Sequence, residues 1–298
     1  MKLNVLRDFV ATAERGGVRA AARFLGVPQP AISRSIRELE KELDAVLFER
    51  GAKGVRLTPV GTVFLRRATA IRRELERAQE EIEQLRGTAN GRVTLGMSIV
   101  PHLALFSDVL QTFRHRYPDI HLEVVDGVYP VIESALLDGS MDFYIGPVPA
   151  KLPGELQVEK LFDNTRVILG RTGHPLAGAT SLRELVDAQW ITTSITHKAE
   201  EELGPLFEKY GLAAPHLAMR AQSALTFLTA ITHSDLLMML PVQWLRYPLL
   251  SAAFQQITVQ EPLPAPPICI VQRTGFPLTP AAEYYCTLAR RASRHISH

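Results

Sequence analysis

The segment Arg19–Leu43, RAAARFLGVPQPAISRSIRELEKEL, limits what this chain can fold into more than any other. It opens with a short alanine-rich stretch, Arg19 to Leu25, whose apolar positions are Ala21, Phe24 and Leu25. Gly26 and Val27 interrupt it, and Pro28-Gln29-Pro30 opens a second stretch with apolar residues at Ile32, Ile36, Leu39 and Leu43. Spacings of four, three and four put these side chains on one face of an α-helix. At about 100° per residue, Pro30, Arg34, Arg37 and Lys41 fall roughly opposite, with Ser33 on the flank. Two short helices joined by a tight glycine turn, the second with a buried stripe and a basic, hydroxyl-bearing outer face, form the layout of a helix-turn-helix that enters the major groove of DNA. A helix pair with an ordinary solvated charged face has the same pattern, so the flanking sequence has to decide.

Upstream, Leu3, Leu6, Val10 and Ala13 make a helical stripe that Gly16-Gly17 ends, so three helices share a small core. Downstream, Val46, Leu47 and Phe48 are expected to be buried, and Val55 and Leu57 alternate with Arg56 as in a short strand. With a turn at Gly51-Ala52-Lys53-Gly54 this reads as a two-stranded wing carrying Arg50, Lys53 and Arg56. Such residues suit phosphate or minor-groove contact, which supplies affinity and register; the alternative is a solvated hairpin. Thr58-Pro59 is a helix start, with Thr as N-cap and Pro at the first position. Along the helix to Arg86, residues Phe64, Ala68, Ile71, Leu75, Ala78, Ile82 and Leu85 recur at alternating spacings of four and three. Arg66, Arg67, Arg72, Arg73, Glu76, Glu80 and Glu81 flank this seam. A helix that packs on its own domain shows a wider apolar face, so the narrow seam predicts pairing with the same helix of a second copy. Two heads would then read two half-sites. Residues 87–91, GTANG, end the helix as a hinge.

The net charge of +2 is unevenly spread. Residues 1–60 carry 11 Lys/Arg against 7 Asp/Glu, whereas residues 88–298 carry 16 against 19. A basic front on a mildly acidic body suits a nucleic-acid-binding head joined to something else. The start, MKLNVLRDFV, has an early Asp8 and no long apolar run, so no signal peptide is expected. The longest apolar run, Leu236–Val242, is too short to span a bilayer. Cys269 and Cys286 are the two cysteines, too few for a disulfide framework and without a Cys-x-x-Cys. The expected compartment is the cytoplasm.

The run AAARFLGVPQPAISRSIRELEKEL, then LFER, then GVRLTPVG, then a long heptad helix, closely resembles the LysR-type transcriptional regulators. The resemblance is strongest over residues 1–66. It departs at Pro28, where many members have Ser or Thr before Gln-Pro. It implies an all-α head joined to an α/β body: a winged helix-turn-helix over 1–58, a linker and dimerisation helix with hinge over 59–90, and a two-lobed, periplasmic-binding-protein-like effector module over 91–298. It assigns DNA contact to Gln29, Pro30, Ser33, Arg34 and Arg37, with wing contacts at Arg50, Lys53 and Arg56. The expected partners are double-stranded promoter DNA, a second copy through the linker helix with further assembly to a tetramer, a small organic effector, and RNA polymerase. No membrane, metal or cofactor is expected beyond the small-molecule co-inducer.

From Val93 the pattern alternates: a strand over Val93–Met97, a helix over Pro101–Tyr117, a strand over Ile120–Val125, a helix over Pro130–Leu137 and a strand over Met141–Ile145. This order predicts a parallel sheet with helices on its faces. Later strands are expected at Leu236–Leu240 and Gln256–Val259, and a helix at Val242–Leu250. The resemblance implies two crossings between lobes, which fall near Phe162–Thr165 and Leu263–Pro267, giving lobe I as 91–162 with 268–298 and lobe II as 163–267. Ligands of open α/β sheets bind beyond the carboxyl ends of strands, and the family's inducer cleft uses the same loops. The expected effector residues are therefore Ser98, Ile99, Val100, Tyr129, Gly146, Pro147, Thr193, Ser194, Thr196, His197, Gln222 and Ser223. Such a lining is rich in hydroxyls and poor in fixed charge, and suits a small organic acid or sulfonate. The block HSDLLMMLP (His233–Pro241), with VDGVYP, is similar to the branch that includes regulators of aromatic sulfonate and sugar use.

Two other classes compete with this reading: a solute-binding protein without DNA function and an α/β enzyme. The basic head argues against the first. Against the second, the nine histidines form no His-Glu-x-x-His, and no Gly-x-Ser-x-Gly, Walker loop or dinucleotide fingerprint is present. The family's peroxide-sensing branch uses a cysteine pair in the second lobe, where this chain has none.

Overall fold

The computed structural model describes all residues except 52–53, 87–89, 193–199, 222, 247–251 and 297–298. Two units result: Met1–Asn90 with Ser134–Met141, and Gly91–Glu133 with Asp142–His298.

In the first unit, helices α1 (Leu3–Glu14), α2 (Val18–Leu25) and α3 (Gln29–Leu43) precede a hairpin of β1 (Phe48–Gly51) and β2 (Gly54–Leu57). Gly26, in the left-handed region at φ +66°, closes α2, and Asp44 does the same for α3 at φ 48°. Leu6, Phe9, Val10, Ala21, Ile32, Ile36, Leu39 and Leu47 make the core, each large side chain stabilising by about 1.5–3 kcal/mol through burial. The Glu40 carboxylate accepts from Leu47 N–H at 2.8 Å and Phe48 N–H at 3.2 Å, fastening the chain as it leaves α3. Four expected core positions are instead exposed: Leu3, Phe24, Leu43 and Val46. Leu3 is the first residue of α1, and Phe24 lies under the Arg15 guanidinium, 3.9 Å from the ring centroid. Leu43 and Val46 flank the left-handed turn at Asp44, where the helical phase has ended.

Thr58 starts α4 (Pro59–Leu85), its hydroxyl accepting from Gly61 N–H at 2.9 Å. The two ends of the helix behave differently. Phe64 packs edge-on against Phe9 at 5.0 Å, and Ala68 is buried in the same core. Beyond Thr69, Arg77 is buried and donates to the carbonyls of Gly139 (3.0 Å) and Met141 (3.3 Å). The rest of the apolar seam, Ile71, Leu75, Ile82 and Leu85, is 42–74% exposed.

The second unit holds a five-stranded sheet in the order β4-β3-β5-β12-β6, with β3 (Arg92–Met97), β4 (His121–Asp126), β5 (Phe143–Pro147), β6 (Leu156–Phe162) and β12 (Ile268–Arg273). β3 runs parallel to β4 and β5, as β-α-β order requires. β12 returns from the far part of the chain and pairs antiparallel with both β5 and β6, so the sheet is mixed rather than parallel throughout. The helices that follow in this unit are α5 (Ile99–Ala104), α6 (Phe106–Arg116) and the last helix, α11 (Pro280–Ser293), while α7 (Tyr129–Leu137) begins in it and ends among the residues of the first unit. The single helix expected over Pro101–Tyr117 is broken at Leu105, whose φ −129° is not helical and whose side chain is buried.

The remaining strands form a three-stranded antiparallel sheet, with β7 (Arg166–Arg171) between β10 (Met238–Pro241) and β11 (Phe254–Ile257), and a parallel pair of β8 (Gln189–Thr192) and β9 (His216–Arg220). The helices here are α8 (Glu200–Lys209), α9 (Ala224–Thr232) and α10 (Gln243–Arg246). β11 begins two residues before the expected Gln256, because Phe254 packs under the β7 strand beside Trp244. The chain passes between the two groups of strands at 163–165 and at 258–267. Both cysteines are buried, and burial raises both thiol pKa values, that of Cys286 furthest, so neither is a reactive thiolate. Among the described residues no helix is long and apolar enough to cross a membrane.

Candidate nucleic-acid interface and ligand cleft

The fifteen residues of α3 present two unlike faces. Ile32, Ile36 and Leu39 are buried, and Gln29, Pro30, Arg34 and Arg37 are exposed, with Ser33 half-buried on the flank. Arg37 Nε donates to Ser33 O at 3.1 Å, which lays its guanidinium back along the helix. Arg34 is exposed on the same face and projects its planar fork of donors, suited to the O6/N7 edge of guanine or to phosphate. A groove of ≈ 800 Å³ between α1 and α3 is lined by Pro30, Arg34 and Arg37 and also by Lys2, Asn4 and Arg7. The sequence does not single out these residues, because they lie off the apolar stripe of Leu3, Leu6 and Val10 and match no DNA-contact motif. The chain's amino group meets Glu42 at 2.7 Å on the same groove.

In the wing, β1 and β2 pair antiparallel with Phe48 opposite Leu57 and Gly51 opposite Gly54. Arg56 is exposed; Lys53 lies outside the described residues, as does the Arg50 side chain. The wing is tied down near its tip: Val55 N–H donates to Gly16 O at 3.4 Å. At Gly54, with φ +129°, a Cβ would sit 2.6 Å from the same carbonyl oxygen.

In the second unit a cleft of ≈ 70 Å³ opens where the two groups of strands meet. One wall comes from the ends of β3, β4 and β5: Ser98, Ile99, Val100, Asp126, Gly127, Val128 and Pro147. The facing wall is Asn164, Arg166, Ala224, Phe227, Met239, Leu240, Pro241 and Trp244. Ser98, Ile99, Val100 and Pro147 from the expected set therefore line it. Gly146 does not; it sits behind the floor, where a Cβ would overlap the Tyr144 hydroxyl and come 2.8 Å from Ser98 Oγ. Tyr129 is also withdrawn, buried at the start of α7, and burial with Glu133 beside it raises its pKa so that it stays a neutral phenol. Ser223 is exposed one residue before the lining residue Ala224. Thr193, Ser194, Thr196, His197 and Gln222 lie outside the described residues.

The expectation of few fixed charges is corrected by Arg166 and Asp126, one on each wall. Arg166 Nη1 donates to Pro264 O at 3.5 Å, holding it between the two passages of the chain. The amide oxygen of Asn164 and the hydroxyl of Ser98 are both buried without a hydrogen-bond partner among the described residues. Val128 precedes α7 and Ala224 opens α9, so the positive ends of two nine-residue helices lie at the cleft. The arrangement can hold a small anion with an apolar part.

Comparison with known proteins decides what these parts belong to. Residues 3–62 match the model for the "Bacterial regulatory helix-turn-helix protein, lysR family", and residues 86–294 match the "LysR substrate binding domain". The chain belongs to the LysR family of transcriptional regulators. Members of that family regulate transcription and are not enzymes, so neither the solute-binding protein nor the enzyme reading applies. The LysR-type chain is 26% identical over 288 residues to the HTH-type transcriptional regulator TdcA of Escherichia coli (strain K12), covering 96% of this chain and 92% of that one. The crystal structure of CbnR, a LysR family transcriptional regulator, superposes with a TM-score of 0.69 at 21% identity, covering 98% of this chain and 99% of that one. Full-length CbnR complexed with its target DNA gives 0.66 at 22%, covering 98% and 100%. At such identities the structural likeness shows the LysR fold, with its DNA-binding head and effector-binding module.

Proposed function

We propose that this LysR-type regulator reads promoter DNA as a homodimer, assembling further to a tetramer, and changes its operator geometry when a small organic acid or sulfonate enters the cleft. The head over 1–58 contacts DNA through Gln29, Pro30, Ser33, Arg34 and Arg37 in the major groove and Arg50, Lys53 and Arg56 at the wing. The helix over 59–90 pairs the copies, and 91–298 carries the signal in the cytoplasm to a promoter shared with RNA polymerase. The observation that carries this reading is α3, whose outer face exposes Arg34 and Arg37 while Ile32, Ile36 and Leu39 on its inner face are buried. The exposed seam at Ile71, Leu75, Ile82 and Leu85 supports pairing. Arg166 at the cleft supports an acidic effector.

The test is DNA binding as a function of salt. Arg34→Ala should weaken operator binding by about 1–3 kcal/mol while sparing random DNA. Arg56→Ala should weaken all DNA and lower the salt slope by roughly one. Equal losses on operator and random DNA for both variants would contradict the assignment. Leu75→Asp with Ile82→Asp should shift the protein to monomers in sedimentation; an unaltered dimer would place the interface elsewhere. Footprints with and without effector should differ in extent or in DNA bend.

A further inference from the structure

We propose that the start of α1 makes a further contact with the DNA backbone, with Lys2 meeting a phosphate at the border of the major groove that α3 reads. The inference rests on the reading of α3 as the recognition helix and extends the interface beyond α3 and the wing.

Placement carries the first half. The amino group of Met1 lies 2.7 Å from Glu42, which sets the start of α1 beside the last turn of α3. Lys2 and Asn4 line the same ≈ 800 Å³ groove as Pro30, Arg34 and Arg37. The start of α1 and the DNA-reading face therefore share one concave surface. The residues proposed to read bases, Gln29 to Arg37, occupy about 12 Å of helix at about 1.5 Å per residue, and the major groove is about 12 Å wide. The next turn of α3, Glu38 to Glu42, leaves the groove where phosphates border it, and Lys2 stands beside that turn.

Charge carries the second half. Most ionic groups of this surface are already engaged. Arg7 donates through Nε and Nη2 to Asp8 Oδ1, at 3.2 and 2.9 Å, and Arg37 Nε is held by Ser33 O. The Lys2 ammonium is exposed and has no hydrogen-bond or ion-pair partner among the described residues. Lys2 precedes the helix with an extended backbone, φ −105° and ψ 151°. An ammonium acts as a point charge and meets a phosphate without the fixed geometry that a guanidinium fork requires. Three carboxylates line the groove: Asp8 is paired with Arg7 and Glu42 with the Met1 amino group. The third, Glu38, is exposed and has no partner among the described residues. A phosphate in this place is attracted by Lys2 and repelled by Glu38, so the two residues make opposite predictions.

The experiment titrates the full chain with a random-sequence DNA duplex across a salt series, because a phosphate contact is independent of sequence. Lys2→Ala should weaken binding by about three- to tenfold and lower the slope of log affinity against log salt by about 0.9. Lys2→Arg should keep the parent slope. Glu38→Gln should tighten binding. Lys209→Ala removes an exposed lysine of the second unit and should change nothing, which separates a local contact from an effect of net charge. Lys2 is exposed and lies before the first helical residue, so its replacement leaves the core of the head intact. The proposal is overturned if Lys2→Ala keeps the parent slope, if Glu38→Gln fails to tighten binding, or if Lys209→Ala lowers the slope as much as Lys2→Ala. In each of these cases the parent protein still binds DNA and the reading of α3 stands. If the parent binds no duplex at low salt, the proposal and that reading fail together.

Discussion

The DNA-reading face and the cleft are built in opposite ways. Every base-reading residue proposed for the head lies on one continuous helix of fifteen residues. The cleft draws its lining from six segments scattered between Ser98 and Trp244. On a helix the phase of the apolar residues alone fixes which side chains face outward. In a cleft, nearness depends on the whole path of the chain. The address is therefore local and robust to changes elsewhere, while the signal site depends on two lobes keeping their spacing.

Matched deletions in the two regions give the largest expected effects. Trp244 is buried and lines the cleft, and Trp244→Ala should cost about 3–5 kcal/mol. Ile32, wholly buried beneath the DNA-reading face of α3, should cost about 2–5 kcal/mol as Ile32→Ala. By calorimetry each should lower one unfolding transition and spare the other. Trp244→Ala should abolish ligand binding but keep low-salt DNA binding, and Ile32→Ala the reverse. If either variant removed both activities, the two regions would form one cooperative block and the contrast would dissolve.

The same contrast explains which parts of the molecule are legible in its sequence. Ile32, Ile36, Leu39 and the Thr58 N-cap are legible because their signals lie within one or two turns of helix. Leu3, Phe24 and Val46 mislead, since an apolar side chain at an element's end keeps the periodicity while the core has moved away. In the cleft, Ser98 and Pro147 are reachable from the rule about strand ends. Arg166 is not, because at the start of RVILGR it looks like any polar residue opening a strand. Phe227 and Trp244 look like core, and both are also core. Nothing in the sequence spacing says that 164–166 faces 126–128; only the two passages between the strand groups bring them together.

A smaller effect is expected where the head has a long-range tie of its own. The wing is anchored by the Val55–Gly16 hydrogen bond and the close approach of Gly54 to the Gly16 carbonyl. A side chain at Gly54 would be strained at φ +129° and would push against that oxygen at 2.6 Å. Gly54→Ala should therefore cost about 1–3 kcal/mol and tilt the wing. The readout is a weaker affinity for random DNA and a shallower salt dependence, with effector binding unchanged. Full low-salt affinity would mean that the wing contributes no phosphate contact.

The last and smallest effect separates the two regions by pH. The wing tie is made of backbone groups and has no charge to lose. In the second unit the corresponding tie is a carboxylate: Glu261, on the return passage toward β12, accepts from Ser181 Oγ at 2.9 Å and from Leu182 N–H at 3.1 Å. Burial opposes its ionisation, but hydrogen bonds from its own and Leu182's backbone N–H and from the Ser181 hydroxyl outweigh that and hold its pKa below 4.5. Since the folded-state value lies below the unfolded one, the stabilisation is complete at neutral pH and is lost as pH falls through the folded value. Glu261→Gln should cost the second unit about 1–2 kcal/mol at pH 7, and the gap from the parent protein should narrow steadily as the solution is made acidic enough to protonate the carboxylate. The head's unfolding transition should show no such convergence for Gly54→Ala. A Glu261→Gln penalty that persisted unchanged in acid would mean that packing around residue 261, rather than its charge, holds this passage of the chain in place.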